Sequence, residues 1–223
     1  AVCGRICIHP CEYKCRRGEL DDPIAIRALK RYAADWYLEN IGSTRDPFPV
    51  RYDERVAVIG AGPAGLSCAY FLAQIGYETT VFEAQPVAGG MLGITVPEFR
   101  LPRHIIEAEI QYIESAGVKI NYNSPIDANH TVNDLMKEGF KAVFIAAGAM
   151  SSKRIGIPGE EEPSEGLFYG LQFLSDIRTK GEIDLSGRTV VIGGGNVAMD
   201  VARTALRSGS SDVQLFCLES RDE

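Results

Sequence analysis

The residues most suited to chemistry lie at the start of the chain. They are four cysteines spaced every fourth residue, Cys3, Cys7, Cys11 and Cys15. One helix through all four would spread the sulfurs over about 18 Å, too far for a single ion or cluster, and Gly4 and Pro10 disfavour a continuous helix. The spacing also differs from the ferredoxin run and from the separated pairs typical of zinc sites. A metal or cluster site is the favoured function, but the thiols could also bind nothing.

A glycine-rich stretch, RVAVIGAGPAGLSCAYFLAQIGYETTVFEAQ, carries the next pattern. It predicts a strand over 55–59, a helix over 63–75 and a strand over 78–83. Between the first strand and the helix lies a G-x-G-x-x-G loop, with Gly60, Gly62, Pro63, Ala64 and Gly65. A strand, this loop, a helix and a second strand are together typical of a dinucleotide-binding unit.

Each position of this loop has a physical role. Gly60 permits a tight turn, Gly62 lets the backbone approach a pyrophosphate, and Gly65 lets the helix pack closely on the strand. The helix N-terminus offers N–H groups and a positive dipole to phosphates. Glu83 ends the second strand and is placed to accept a hydrogen bond from an adenosine ribose hydroxyl.

The same pattern returns near the end of the chain, in GRTVVIGGGNVAMDVARTALRSGSSDVQLFCLES. It predicts a strand over 189–192, a helix to Arg207 and a strand over 213–218. The candidate nucleotide contacts of its loop are Gly193, Gly195, Asn196 and Ala198. Ala198 replaces the third glycine and should push the helix slightly off the strand. Two such loops suggest a flavin and a nicotinamide cofactor, although a Rossmann-type unit without a ligand remains an alternative for the second.

The sequence between the loops supplies further elements. A glycine-rich segment at Gly89, Gly90 and Gly93 favours close approach of backbone. A helix is predicted from Pro102 to near Gly117, a strand over 118–122 and a helix over 132–138. The apolar run KAVFIAAGA is predicted as a strand ending at Gly148, where backbone could meet a cofactor.

Composition excludes several classes of function. The 223 residues are 45% hydrophobic and 24% charged, which is ordinary for a globular protein. With 23 basic and 30 acidic residues the net charge is −7, so no general positive field would attract nucleic acid or an anionic membrane. No run of about 18 apolar residues and no leader is apparent, which predicts no membrane insertion. We expect a cytoplasmic protein with reduced thiols, in which Cys68 and Cys217 are small core residues.

Taken in order, seven motifs resemble the glutamate synthase small-subunit family, which also includes the flavin and iron–sulfur region of dihydropyrimidine dehydrogenase. The motifs are CGRIC with the two following cysteines, IRALKRYAADW, VAVIGAGPAGLSCAYFLA, GGM, PEFRLP, IPGE and VVIGGGNVAMDVARTALR. The resemblance implies an electron-transfer enzyme in which NAD(P)H reduces FAD and 4Fe-4S clusters pass electrons to a larger catalytic or electron-accepting subunit.

The resemblance also assigns residues. The four N-terminal cysteines match cluster ligands, to be completed by cysteines outside this sequence. Gly60, Gly62, Gly65 and Glu83 match FAD-adenosine contacts, and Gly90 and Met91 lie in a second flavin-contacting segment. Gly193, Gly195, Asn196 and Ala198 match the nicotinamide-nucleotide loop. Since the family has sequence beyond both ends of this chain, a fragment is expected.

The predicted fold is α/β, with two Rossmann-like nucleotide-binding units, the second incomplete, preceded by a mainly helical iron–sulfur segment. The predicted boundaries are 1–50 for the iron–sulfur segment, 51–154 for the FAD domain, 155–186 for a connector and 187–223 for the start of the NAD(P) domain. Two alternatives are a non-catalytic FAD-binding module and a flavoprotein disulfide reductase. The latter would need a C-x-x-C pair, which the sequence lacks.

Two finer predictions concern single elements. Glu219 follows the last predicted strand, where an acid accepts from the 2′-hydroxyl of NAD and repels the 2′-phosphate of NADP, which favours NADH. Arg221 could instead pair with that phosphate. The stretch IRALKRYAADW predicts a helix that packs through Ile26, Leu29, Ala33 and Trp36. Its cations Lys30 and Arg31 would then form a solvated face or a docking site for a partner.

Overall fold

The computed structural model describes residues 1–160, 166–181, 183 and 185–218. The chain forms two compact units, the first from Ala1–Gly93 and Phe99–Gly148 and the second from Ile94–Glu98 and Ala149–Glu223. The predicted iron–sulfur segment, 1–50, therefore lies in the same unit as the first glycine loop. Among the described residues, no helix is both long and apolar enough to cross a bilayer.

The first unit is built on a parallel sheet in the order β3-β2-β1-β4. Its strands are β1 (Tyr52–Ile59), β2 (Tyr77–Phe82), β3 (Lys119–Asn121) and β4 (Phe140–Ile145). Ile59 pairs with Phe82 on one side and with Ile145 on the other, so three strands end level at one edge. The glycine loop begins at this edge, where ligands bind in open parallel sheets.

Helices cover this sheet. The helices on the strands are α4 (Pro63–Ile75) and α7 (Val132–Lys137), while α6 (Arg103–Ser115) packs on α4 and the short α5 (Met91–Ile94) precedes it in the chain. Helix α4 has the predicted bounds, because Pro63 suits the first helical position and Gly76 ends the helix at φ +117°. Ala57, Phe82, Leu135 and Phe140 form a core cluster between sheet and helices. The apolar run that ends the sheet is shorter than predicted: β4 stops at Ile145, and Gly148 lies in irregular chain beyond it.

The cysteine segment forms short helices, as the glycine and proline in it predict. They are α1 (Val2–Ile6) and α2 (Pro10–Tyr13), followed by a 3₁₀ turn (Arg16–Glu19) and the long helix α3 (Ile26–Asn40). The break between α1 and α2 includes His9 at φ +45°, a left-handed conformation that a helix cannot contain.

Helix α3 forms where it was predicted, but its predicted packing face is wrong. Leu29 and Trp36 are 58% and 50% exposed, and Ala33 is also exposed. The opposite side of the helix packs on α1, because Gly4 lets the two backbones meet: a Cβ at Gly4 would lie 2.6 Å from the Cα of Arg31. The face of α3 that packs on α1 is therefore set by the close approach at Gly4, and not by the apolar residues of α3.

The second unit contains α8 (Gly170–Lys180), β5 (Gly187–Ile192), α9 (Asn196–Arg207) and β6 (Ser210–Phe216). Strands β5 and β6 pair in parallel, as the repeated pattern predicts. The segment predicted as a connector, 155–186, contains α8. Phe173 and Leu174 of this helix are buried with Ala205 of α9 in one core cluster, so this part of the connector belongs to the second unit's core.

Candidate functional site

The first glycine loop is so tight that two of its positions accept only glycine. Gly60 has φ +98°, and a Cβ there would lie 2.4 Å from the carbonyl oxygen of Ala146. A Cβ at Gly65 would lie 1.9 Å from the carbonyl oxygen of Gly60. The turn and the helix–strand approach that the spacing predicts are therefore both present.

Gly62 differs, because its missing side chain leaves open space. Its backbone is extended, with φ −74° and ψ 177°, so any residue could adopt it. The nearest atom to a Cβ built there is the Cα of Gly90, 3.9 Å away. Pro63 and Ala64 are exposed in the first turn of α4 beside this space. Room at a helix N-terminus is what a pyrophosphate requires, so the loop fits a dinucleotide.

Glu83 is fixed at the rim of the loop. This residue is only 7% exposed. One carboxylate oxygen accepts a hydrogen bond from the N–H of Ala61 at 2.7 Å, and the other accepts one from the N–H of Gln85 at 2.8 Å. Each carboxylate oxygen retains a second lone pair. The carboxylate is thus oriented by the chain and still able to accept from a ribose hydroxyl.

The second predicted flavin segment lies across the first. The N–H of Gly89 donates to the carbonyl oxygen of Ala61 at 2.8 Å, and a Cβ at Gly90 would lie 2.9 Å from the Cα of Gly62. Met91, half-buried, starts α5 directly after these glycines. The structure therefore brings the glycine loop, Glu83 and the Gly90 segment together.

Gly148 lies two residues after Ala146, whose backbone contacts Gly60 of the first glycine loop. It is exposed with φ +74°, and no described atom lies within 4 Å of a Cβ built on it. Within the protein, only the backbone conformation at this position favours glycine. Its predicted contact with a cofactor stays a prediction.

The second loop repeats the geometry of the first. The N–H of Gly193 donates to the carbonyl oxygen of Phe216 at 2.7 Å, as that of Gly60 does to Phe82 at 2.8 Å. Gly195 has φ −76° and ψ 176°, nearly those of Gly62, and within the described part of the chain nothing lies within 4 Å of its built Cβ. Asn196 begins helix α9 after it.

Ala198 shows how this loop differs from the first. It is buried, and its Cβ lies 3.6 Å from the position a Cβ would take at Gly193. That is an ordinary van der Waals separation, whereas at the equivalent Gly65 a methyl group would collide with backbone. The second loop is therefore looser, in the direction that the sequence predicts for an alanine.

An open cleft of about 1200 Å³ runs along this loop. Gly193, Gly195, Asn196 and Ala198 line it, together with Lys153 and with Arg188, whose guanidinium pairs with Asp212 at 2.9 Å. These features suit a nucleotide with phosphate groups. Glu219, the residue on which the NADH prediction depends, lies outside the described residues.

The four N-terminal cysteines are free thiols; Cys3 and Cys11 are exposed, whereas Cys7 and Cys15 are half-buried. Among the described residues, no three histidine, cysteine or acidic side chains group closely enough for a metal ion. The donor type nevertheless suits iron–sulfur clusters, which take thiolates. This segment fits as part of a ligand set, and its completion by cysteines outside this sequence stays a prediction.

The backbone favours the thiolate form of two of these cysteines. The N–H of His9 donates to the sulfur of Cys7 at 3.3 Å and lowers the pKa of that thiol, with a smaller contribution from Lys30. Backbone N–H groups of Ile24 and Arg17 similarly lower the pKa of Cys15. Thiolate is the form that binds metal.

Sequence reasoning missed the cationic flank of this segment. The ammonium of Lys30 donates to the sulfur of Cys3 at 3.3 Å, and Arg27, one helical turn earlier, donates from its backbone N–H to Glu12 at 2.8 Å and from its guanidinium to the carbonyl oxygen of Cys7 at 3.4 Å. The signal was the three-residue spacing of Arg27 and Lys30, which places both on one helix face.

Two protein-family profiles match the chain. Residues 54–222 match the family described as pyridine nucleotide-disulphide oxidoreductase. Residues 1–41 match dihydropyrimidine dehydrogenase domain II, 4Fe-4S cluster. The predicted resemblance is thereby confirmed, as are the oxidoreductase class and the cofactors FAD, NAD(P)H and 4Fe-4S.

Curated relatives cover the whole chain. The beta subunit of the NADP(+)-dependent formate dehydrogenase of Moorella thermoacetica is 44% identical, and the beta subunit of the NADPH-Fe(3+) oxidoreductase of Geobacter sulfurreducens is 41% identical. The PreT subunit of the NAD-dependent dihydropyrimidine dehydrogenase of Escherichia coli is 35% identical. The chain spans 34% of the length of the first two and 53% of the third.

Solved structures share the fold. FprA from Mycobacterium tuberculosis, in complex with NADPH, is 25% identical with a TM-score of 0.62; the match covers 74% of this chain and 43% of FprA. Histamine dehydrogenase from Rhizobium sp. 4-9 is 26% identical with a TM-score of 0.56, over 76% of this chain and 27% of that enzyme. Both likenesses confirm the predicted Rossmann-like α/β fold.

Proposed function

Since the chain belongs to the pyridine nucleotide-disulphide oxidoreductase family, we propose that it is the electron-input part of a larger oxidoreductase subunit. In this proposal NAD(P)H delivers hydride to FAD, and 4Fe-4S clusters carry the electrons to a partner. Flavin supplies the step between two-electron and one-electron chemistry, which the protein's side chains cannot supply themselves.

The observation that supports this proposal most is the pair of matching glycine loops. Gly62 and Gly195 have the same extended backbone and open space beside a helix N-terminus. Two dinucleotides therefore have a place, one in each unit. In the first unit Glu83 holds a ribose and the helix N-terminus faces phosphate; in the second, Lys153 lines the cleft and adds positive charge for a nucleotide.

The arrangement of the first unit favours electron transfer out of the flavin. The cysteine segment and the glycine loop belong to one compact unit, so a donor and an acceptor of electrons are held in the same body. We propose that cysteines outside this sequence complete the clusters, because the four thiols here do not gather around one point.

The partner and the nicotinamide cofactor are further parts of the proposal. We propose a larger catalytic or electron-accepting subunit, as in the glutamate synthase arrangement, because the relatives are named as subunits of complexes. We also propose NADH as the donor, on the acid at position 219. The relatives' names include both NADP and NAD, so measurement must decide. A cytoplasmic location stays a prediction.

The test is an anaerobic titration of the full-length protein with NADH or NADPH while flavin absorbance is recorded. We expect bound FAD that bleaches upon addition of the nicotinamide cofactor. Flavin that never bleaches would contradict the proposal and support a non-catalytic FAD-binding module. Protein that binds no flavin would exclude both functions.

A further inference from the structure

We propose that Lys30 tunes the 4Fe-4S cluster that Cys3 ligates, raising its reduction potential through an N–H···S hydrogen bond. This inference rests on the proposed function, since it requires the cluster to be present. It assigns a role to a cation that the sequence suggested only as a solvated or partner-docking residue. The ammonium group of Lys30 donates a hydrogen bond to the sulfur of Cys3 at 3.3 Å.

The contact lies beside the tightest point between two helices. Gly4 follows Cys3, and Arg31 follows Lys30; a Cβ at Gly4 would lie 2.6 Å from the Cα of Arg31 and 2.8 Å from its backbone nitrogen. Backbone therefore meets backbone one residue away from the N–H···S bond. The packing of α1 on α3 therefore fixes the position of the Lys30 backbone relative to Cys3.

A second contact fixes the same pair of helices. The guanidinium of Arg5 on α1 donates to both carboxylate oxygens of Asp35 on α3, at 2.7 and 3.1 Å. The Arg5 side chain is only 8% exposed. Bidentate pairs of this kind restrict direction as well as distance. Helix α1 therefore cannot slide along α3 without breaking the pair, and Cys3 stays within reach of Lys30.

Arg27, the other cation on this face of α3, donates to a backbone carbonyl group and not to a sulfur atom. Arg27 donates its side-chain hydrogen bond to the carbonyl oxygen of Cys7, at 3.4 Å. A hydrogen bond to a ligand sulfur is different, because it draws electron density from the atom bound to iron. Such hydrogen bonds and nearby charge are recognised determinants of cluster potentials.

The sign of the effect follows from charge. Reduction adds one electron to the cluster and makes it one charge more negative; no bond is made or broken, and Lys30 keeps its proton. The positive ammonium stabilises the more negative state more strongly. Lys30 therefore favours reduction, which eases electron transfer from a flavin donor.

The experiment is an EPR-monitored redox titration of the full-length protein with its clusters and flavin in place. We compare wild type, Lys30→Met, Lys30→Arg and Lys14→Met. Lys30→Met removes the charge and the donor but keeps the length, whereas Lys30→Arg keeps both. Lys14, exposed between Cys11 and Cys15, is the matched control, since Lys14→Met changes the net charge equally in the same segment.

We expect Lys30→Met to lower the equilibrium constant for reduction of one cluster on the order of tenfold, which is about 59 mV for one electron. Lys30→Arg should retain most of the wild-type potential, and Lys14→Met should leave it unchanged. An unchanged potential in Lys30→Met, or an equal shift in Lys14→Met, would overturn the inference.

Iron content separates tuning from assembly. If Lys30→Met does not retain iron, Lys30→Gln is titrated under the same criteria, and iron loss in both would show a role in assembly and contradict tuning. The proposed function fails separately: wild-type protein without a cluster signal would refute the cluster assignment, whereas a wild-type signal with unshifted variants refutes only the role of Lys30.

Discussion

At the scale of single residues, Gly62 and Gly195 are the most informative positions. Both precede a helix in extended backbone that any residue could adopt, so neither is a glycine for conformational reasons. The described protein leaves space around both. A side chain at either would therefore fill room for a ligand without straining the fold.

This equivalence gives a pair of opposite predictions. Gly62→Val should leave a folded protein that retains little FAD, because the side chain occupies the pyrophosphate space. Gly195→Val should retain FAD but lose bleaching by NAD(P)H. Flavin content and anaerobic absorbance after addition of the nicotinamide cofactor measure both. A folded Gly62→Val protein with a full complement of FAD would show that the flavin site is misassigned.

The proposed choice of nicotinamide cofactor also depends on a single residue. If Glu219 accepts from the 2′-hydroxyl of NADH, Glu219→Arg should shift the ratio of kcat/KM toward NADPH, because a guanidinium pairs with the 2′-phosphate. The ratio is measured in the full-length enzyme with both cofactors. Wild-type preference for NADPH, or a ratio that Glu219→Arg does not move, would exclude Glu219 as the selector.

At the scale of elements, the attachment of α1 to α3 holds the cysteine segment. The hydrogen bond from Arg5 lowers the pKa of Asp35. A carboxyl with a depressed pKa contributes stability above its unfolded pKa of about 3.9, and the contribution is lost as the pH falls through the folded value. The attachment should therefore be complete at neutral pH.

Breaking this pair should loosen α1. Asp35→Asn leaves the guanidinium of Arg5 without its charged partner, and we expect a loss of about 2 kcal/mol in the protection of the α1 amides. Hydrogen exchange of residues 2–7 measures it. The matched control is Asp21→Asn, which removes an exposed pair with Arg17 and should leave α1 unchanged. Equal effects of both variants would contradict a specific role for Arg5 and Asp35.

The elements also show what a sequence can predict. Local signals placed α4 correctly, since Pro63 and Gly76 mark its ends and the glycine spacing demands a strand before it. The packing face of α3 was not predictable from periodicity, because it depends on Gly4, which is distant in sequence and meets the helix only in the folded protein. Helix α8 was likewise not predicted, because the segment 155–186 begins with many prolines, glycines and acids. The buried side of the helix is formed by Phe173 and Leu174.

For the molecule as a whole, the proposed function is a path for electrons from the nicotinamide cofactor to the clusters. The glycine loops could be predicted, because their geometry depends on residues close in sequence, whereas the contact of Glu83 with the flavin nucleotide stays a prediction. The contact between Lys30 and Cys3 could not be predicted, since it joins two residues of different helices that are 27 positions apart in the sequence. The sequence could suggest a cluster segment but not what surrounds its sulfurs.

We propose that electrons pass from NAD(P)H through FAD to the clusters. Freeze-quench EPR with parallel stopped-flow absorbance, on the full-length protein mixed anaerobically with the nicotinamide cofactor, tests it most directly. We predict that flavin bleaches first, that the cluster signal rises afterwards, and that Gly62→Val protein shows neither. Clusters that become reduced by NAD(P)H in flavin-free Gly62→Val protein would contradict the account.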